Sequence, residues 1–264
     1  MYHLYYGDEA GTPGSVMTYF PFPHARRGRA GSGEVSTTAF AVPEGTLDAW
    51  EARLGEAGVP GLERVNTFGE NRLLFQGPDG DGLALVEAEN DRAPWTGNGI
   101  GADTALRGFH SVELRLRDTG PTADLLGLMG YQEECRQGNV TRFVLPAHNG
   151  AGTVDLAQVD APQADQGAGS VHHIAFAVDD RAAQLQIRQA LTEAGAQITP
   201  VIDRDYFWAI YFRSPGGVLF EIATNEPGFD RDEDLAHLGE ALKLPQQHAH
   251  LRADLERRLE PLGD

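Results

Sequence analysis

Two histidines and a glutamate stand in stretches where charged or polar side chains are out of character. Val171-His172-His173-Ile174-Ala175-Phe176 reads as a short apolar strand with two adjacent imidazoles, and Pro215-Gly216-Gly217-Val218-Leu219-Phe220-Glu221-Ile222 as a turn followed by an apolar strand with one carboxylate. Neighbouring side chains in a strand point to opposite faces, so His172 and His173 are expected to look away from one another. A carboxylate in so apolar a strand is costly to bury unless it is paired or bound to a cation. A lone strand histidine is more often a hydrogen-bonded core residue, and a lone strand glutamate more often faces solvent. Together, on two strands of one small sheet, they suit a divalent metal.

The elements that must position these residues form a repeat. Three segments share a strand, an amphipathic helix and a glycine stop. Their strands are Val35 to Val42, Phe109 to Leu114 and Val171 to Val178, and their helices end at Gly58, Gly130 and Gly195, where glycine can take the left-handed conformation that stops a helix. A strand, turn, strand pattern occurs four times: Leu4 to Tyr19, Leu73 to Glu87, Arg142 to Leu156, and Ile210 to Glu221. Three first halves and four second halves fit a chain that starts inside its first repeat, with a strand and helix of roughly 40 residues absent.

The expected fold is therefore α+β: four βαβββ modules, the first incomplete, forming two half-open barrels, with a C-terminal helical extension. The second half of the incomplete module covers residues 1–25, and the second module 33–90. A Pro- and Gly-bearing linker spans 91–107, the third module 108–160 and the fourth 170–224; the extension is 225–264. Within the extension, Asp232 to Leu244 and Gln246 to Leu262 read as two amphipathic segments. Their leucine stripe packs on the sheets or on a second subunit, which leaves a homo-oligomer open. Superposing the modules pairs Thr37 with Glu87, His110 with Leu156, and His173 with Glu221, and leaves Thr18 alone in the incomplete module. Only the last module has both ligand types.

Composition excludes several function classes. A net charge of −18 leaves no basic face for nucleic acid. Arg26, Arg27 and Arg29 form the one basic cluster, in a Gly-rich loop that they keep soluble. The sequence has no window of the ~18 apolar residues that would span a membrane, and its first residues have no leader pattern. The single cysteine, Cys135, rules out an internal disulfide and a zinc site built from cysteines. The expected location is the cytoplasm.

His173-Ile174-Ala175 on the first strand and Gly216-Gly217 to Glu221 on the last, in repeated βαβββ modules, resemble the vicinal oxygen chelate superfamily. This is the glyoxalase/bleomycin resistance/extradiol dioxygenase group. More narrowly, three stretches resemble its bacterial ring-cleaving hydroquinone dioxygenases: Tyr2-His3-Leu4-Tyr5-Tyr6-Gly7-Asp8 through Gly14, His172 to Phe176, and Asp203-Arg204-Asp205-Tyr206-Phe207 through Tyr211 to Thr224. The resemblance covers nearly the whole chain.

That resemblance implies a mononuclear Fe(II) site of two histidines and one carboxylate, with Mn, Zn or Ni as alternative metals, acting on a small aromatic substrate and O2. His173 and Glu221 match the family's second histidine and its carboxylate. In the hydroquinone branch the first histidine lies on the first strand of the first module, the strand the repeat count finds absent, so this chain is expected to bind iron poorly and turn over slowly or not at all. In the catechol-cleaving branch the last two modules share one cup, and His110, His173 and Glu221 would be the ligands instead. His172, Arg204 and Tyr211 match residues around the substrate, where they can move protons or stabilise negative charge. The same scaffold also hosts glyoxalase-type metal-dependent lyases or isomerases and metal-free small-molecule binding or resistance proteins.

Overall fold

The computed structural model describes residues 1–262. A hairpin of β1 (Leu4–Tyr6) and β2 (Met17–Tyr19) comes first. The second module contains β3 (Glu34–Val42), α1 (Leu47–Glu56), β4 (Glu63–Thr67), β5 (Glu70–Gln76) and β6 (Gly82–Glu87). The third contains β7 (Phe109–Leu116), α2 (Gly120–Leu128), β8 (Gln132–Gln137), β9 (Val140–Val144) and β10 (Thr153–Gln158). The fourth contains β11 (Ile174–Val178), α3 (Arg181–Glu193), β12 (Ile202–Asp203), β13 (Phe207–Arg213) and β14 (Leu219–Pro227).

In each βαβββ module the first strand pairs parallel with the last: β3 with β6, β7 with β10, β11 with β14. A parallel return needs a crossover, and the helix supplies it. Each helix is followed by its glycine stop, with φ of +71° at Gly58, +94° at Gly130 and +91° at Gly195. An antiparallel pairing of β3 with β7 merges the second and third modules into one sheet of order β4-β5-β6-β3-β7-β10-β9-β8. Its ends meet across a cup, because the Phe68 N–H in the β4–β5 turn donates to Gln137 Oε1 at 2.5 Å. The fourth module forms a separate sheet of order β11-β14-β13-β12.

The main core joins the third and fourth modules. Leu114, Leu116, Leu126 and Leu156 are buried together with Leu191, Ile210, Phe220 and Ile222, each contributing roughly 1.5–3 kcal/mol by leaving water. The Gly216-Gly217 turn packs into this junction. A Cβ on Gly216 would stand 2.6 Å from Leu116 Cδ2, its N–H donates to Thr122 Oγ1 at 3.2 Å, and Gly217 has φ +93°.

Two connections between modules pair with one another. Residues around Arg26 to Ser32 run beside 162–168, with Gly28 N–H donating to Ala168 O at 3.0 Å, Arg29 N–H to Asp165 O at 2.8 Å and Ala164 N–H to Ser32 O at 2.9 Å. A Cβ on Gly28, Gly31 or Gly167 would collide with Ser170 Oγ, Pro162 O or Arg26 O respectively. The glycines are there for close backbone approach, and Arg26 pairs with Asp165 at 2.7 Å.

The C-terminal extension is less helical than its leucine spacing predicts. Between 232 and 244 the chain makes one 3-10 turn, Leu235–His237. Gly239 then takes φ +82°, and the Glu233 carboxylate accepts from the Gly239 and Ala241 N–H groups, so the backbone turns instead of coiling. The second segment is a 3-10 stretch, Gln246–Leu251, followed by α4 (Arg252–Arg258). Leu235 and Leu251 stay exposed. Residues 263 and 264 of the extension lie outside the described residues. No helix among the described residues is long and apolar enough to cross a membrane.

Candidate metal centre

Strand register gathers the fourth module's chemistry on one face. Glu221 on β14 lies opposite Ala175 of β11 and opposite Tyr211 of β13. Two residues before Ala175, just ahead of the strand, stands His173, whose ring reaches the same carboxylate. Its Nε2 lies 2.7 Å from Glu221 Oε2. Tyr211 donates its hydroxyl to Glu221 Oε1 at 2.9 Å, and Arg204 Nε donates to the Tyr211 oxygen at 3.1 Å. Ala175 and Ala177 are exposed, so β11 offers a floor of small side chains with open space above it. The helix α3 covers the other side of the sheet, where buried Gln184 donates to Trp208 O at 2.7 Å and Ile222 O at 2.8 Å.

The two adjacent histidines do not look away from one another. Regular strand geometry begins only at Ile174, and in the irregular backbone before it His172 Nδ1 and His173 Nδ1 come within 2.8 Å. One of these nitrogens must donate and the other accept, so the two tautomers are tied together. Burial, then the neighbouring His173 and Arg213, lowers the His172 pKa. Burial and then the Glu221 charge raise the Tyr211 pKa, which keeps its hydroxyl a donor.

Glu221 is 3% exposed, yet no lysine or arginine among the described residues pairs with it. Its partners are one imidazole and one neutral hydroxyl. A buried carboxylate left without a cationic partner, with an imidazole nitrogen at its side, is a donor pair that fits a divalent ion. Among the described residues no three His, Cys, Asp or Glu side chains converge as a metal-holding group.

His110 accordingly does not complete a triad with His173 and Glu221. It sits on β7 in the other sheet, where its Nε2 is 3.1 Å from Glu70 Oε1 and its Nδ1 is 3.0 Å from Ser111 Oγ. Glu70 also accepts from Arg142 at 2.8 Å and Arg72 at 2.6 Å, while Arg142 grips Asp155 through two bonds at 2.8 and 3.0 Å. Burial opposes ionisation of Glu70, but hydrogen bonds from His110, Arg142 and Arg72 outweigh it and hold the carboxyl well below its ordinary range. The carboxylates beside His110 are already taken up by two arginines, which leaves no free donor there for a metal ion.

Register also corrects the expected equivalences. Ala39, two residues past Thr37, faces Ala84, and Glu87 faces Val42 instead. The Glu87 carboxylate accepts from the Leu47 N–H at the start of α1 and from Asn71. Val112, two past His110, faces Val154 and not Leu156.

Two residues near the centre have no local signal in the sequence, although they lie within the Tyr2 to Gly14 stretch. Desolvation by packed neighbours pulls the His3 pKa down to about 4, with His173 and Arg204 acting the same way and Glu221 opposing. Tyr5 is pushed up to about 12 by desolvation and then by Glu221, with Arg204 opposing. Both side chains therefore stand within the electrostatic reach of the His173, Arg204 and Glu221 group.

Comparison with known proteins gives consistent results. Residues 136–222 match the model of the Glyoxalase/Bleomycin resistance protein/Dioxygenase superfamily. A protein of Bacillus subtilis strain 168 named "Putative ring-cleaving dioxygenase MhqO" is 40% identical over 262 residues, covering 98% of this chain and 83% of that protein. A Sphingobium indicum protein named "Chlorohydroquinone/hydroquinone 1,2-dioxygenase" is 33% identical over 269 residues, 98% of this chain and 83% of that one. A crystal structure described as a "putative dioxygenase" of Bacillus subtilis superposes with a TM-score of 0.95 at 39% identity, over 99% of this chain and 84% of that chain.

Proposed function

The chain belongs to the glyoxalase/bleomycin resistance protein/dioxygenase superfamily, and on that premise we propose that it is a ring-cleaving dioxygenase. In this reading it opens a hydroquinone-like phenol with dioxygen at one Fe(II) ion held by His173 and Glu221. The observation that carries the reading is the 2.7 Å approach of His173 Nε2 to the buried Glu221 carboxylate on an open, alanine-floored face. The relatives named for ring cleavage and for hydroquinone supply the substrate class. These two residues are two of the three protein donors of a 2-His-1-carboxylate set, so with this pair alone the chain is expected to hold the ion weakly and to turn over slowly.

When bound, the metal supplies Lewis acidity that eases loss of a phenolic proton, and open positions for small ligands. His173 must present an unprotonated Nε2 to it, so its proton sits on Nδ1 and is donated to His172 Nδ1. His172 thus positions the ring of His173. Tyr211 keeps its proton and fixes the rotamer of Glu221 through Oε1. Arg204, tethered by its Nε to Tyr211, can turn its other N–H groups to negative charge developing on a substrate oxygen. The free thiol of Cys135 is in keeping with a cytoplasmic location.

Oxygen uptake after anaerobic Fe(II) loading, with a panel of hydroquinones, tests this reading. Uptake that depends on the hydroquinone supports it. Isomerisation of a hemithioacetal without oxygen uptake would replace it with a glyoxalase-type lyase or isomerase, and tight hydroquinone binding without turnover would replace it with a binding protein.

A further inference from the structure

The β1–β2 hairpin carries a second pair of polar groups, His3 and Tyr5, and Tyr5 lies opposite Thr18 in the hairpin as Tyr211 lies opposite Glu221 in the fourth module. The His3 ring is stacked on Phe20, with centroids 4.1 Å apart and planes at 23°, and packs on Tyr5 at 4.1 Å. The Tyr5 hydroxyl lies 2.9 Å from His3 Nδ1. With Nδ1 engaged, His3 has one ring nitrogen, Nε2, left for a ligand. Both side chains are exposed, as groups that meet a ligand must be.

The hairpin is fastened to the fourth module by one aromatic ring. Phe229 lies 5.4 Å from Tyr5, 5.1 Å from Tyr206 and 6.5 Å from Phe207, centroid to centroid. A Cβ on Gly11 would stand 2.7 Å from Phe229 Cδ2, so the hairpin turn seats on the same ring. This clasp sets the hairpin against Tyr206 and Phe207, which lie between Arg204 and Tyr211 in the chain, and the Arg204 and Glu221 charges act on both His3 and Tyr5.

A para-diphenol is a rigid ring with hydroxyls at opposite ends. With one hydroxyl at the His173–Glu221 end, the other stands at the far end of the ring and loses water on binding, so it needs a hydrogen-bonding partner. We propose that His3, braced by Tyr5 and Phe20, is the specificity-determining contact for that second hydroxyl. The inference rests on the ring-cleavage reading and adds to it the discrimination between para-diphenols and simple phenols.

The test is an anaerobic calorimetric titration of the Fe(II)-loaded full chain with hydroquinone and, separately, with phenol. The wild type is expected to prefer hydroquinone by about tenfold, the worth of one hydrogen bond in a site built for it. In His3→Phe, which keeps the stack on Phe20, the preference shrinks to within about threefold while phenol and Fe(II) affinities hold; Tyr5→Phe, the milder change, loses part of it. A full preference in His3→Phe, or in Tyr5→Phe should the first variant fail to fold, overturns the inference. A wild type that binds both phenols equally also overturns it and leaves ring cleavage standing, whereas a wild type that binds neither removes both.

Discussion

At the residue scale Glu221 is held by two partners. Its two oxygens are divided between His173 and the Tyr211 hydroxyl, so Tyr211→Phe frees Oε1 without disturbing the strand pairing. Loss of such an orienting partner typically weakens metal binding ten- to a hundredfold; calorimetric Fe(II) titration should show a drop of about that size, and unchanged affinity would mean that Tyr211 has no part in the site. That His173 and Glu221 would come together was legible because each breaks the apolar pattern of its strand and matches a motif. The His172–His173 contact was not, since it depends on the strand beginning three residues later than the Val171 start that its apolar run suggests.

The ion-paired cup gives a second prediction at this scale. Glu70 holds its proton less readily in the folded chain than in the unfolded one, so its contribution to stability is fully present above the ordinary glutamate value of about 4.3 and is lost as pH falls below it. Replacing it with glutamine leaves Arg72 and Arg142 short of a partner, at a cost of about 3 kcal/mol. Melting temperatures followed from about pH 6 down to about pH 3 should fall more steeply in the wild type than in Glu70→Gln, and parallel curves would contradict the assignment. Nothing local in the sequence announces this cluster. Its members come from β5, β7, β9 and β10, and only closure of the cup brings them together.

At the scale of elements, glycine has two distinct uses that the sequence displays alike. Gly58, Gly130 and Gly195 stop helices by taking positive φ, and their position after each amphipathic run made them readable. Gly31 instead admits the Pro162 carbonyl, a contact between connections far apart in the chain. Gly31→Ala should therefore lower the urea midpoint, at unchanged slope, by the equivalent of about 1–3 kcal/mol. Gly127→Ala is the contrasting variant: it lies inside α2 with nothing within 4 Å of the new methyl, and should stabilise by about 0.5–1 kcal/mol. Equal effects at the two positions would show that the zipped connections carry no strain. The C-terminal extension was misread for a related reason, because leucine spacing alone does not register the backbone turn at Gly239.

At the scale of the whole molecule, one module plan serves two different ends. In the sheet shared by the second and third modules, arginines and carboxylates satisfy one another inside the cup, and His110 is absorbed into that network. In the fourth module, the corresponding face keeps a buried carboxylate, an imidazole beside it and a floor of alanines, and the β1–β2 hairpin is clasped to the module through Phe229. The central claim is that this second face cleaves an aromatic ring. The most direct test supplies the Fe(II)-loaded protein with hydroquinone under isotopically heavy dioxygen and reads the product by mass spectrometry after trapping any aldehyde by reduction. The account predicts an acyclic product carrying both heavy oxygen atoms, formed by the wild type and not by Glu221→Ala. A benzoquinone without heavy oxygen, or the same acyclic product from Glu221→Ala, would contradict it.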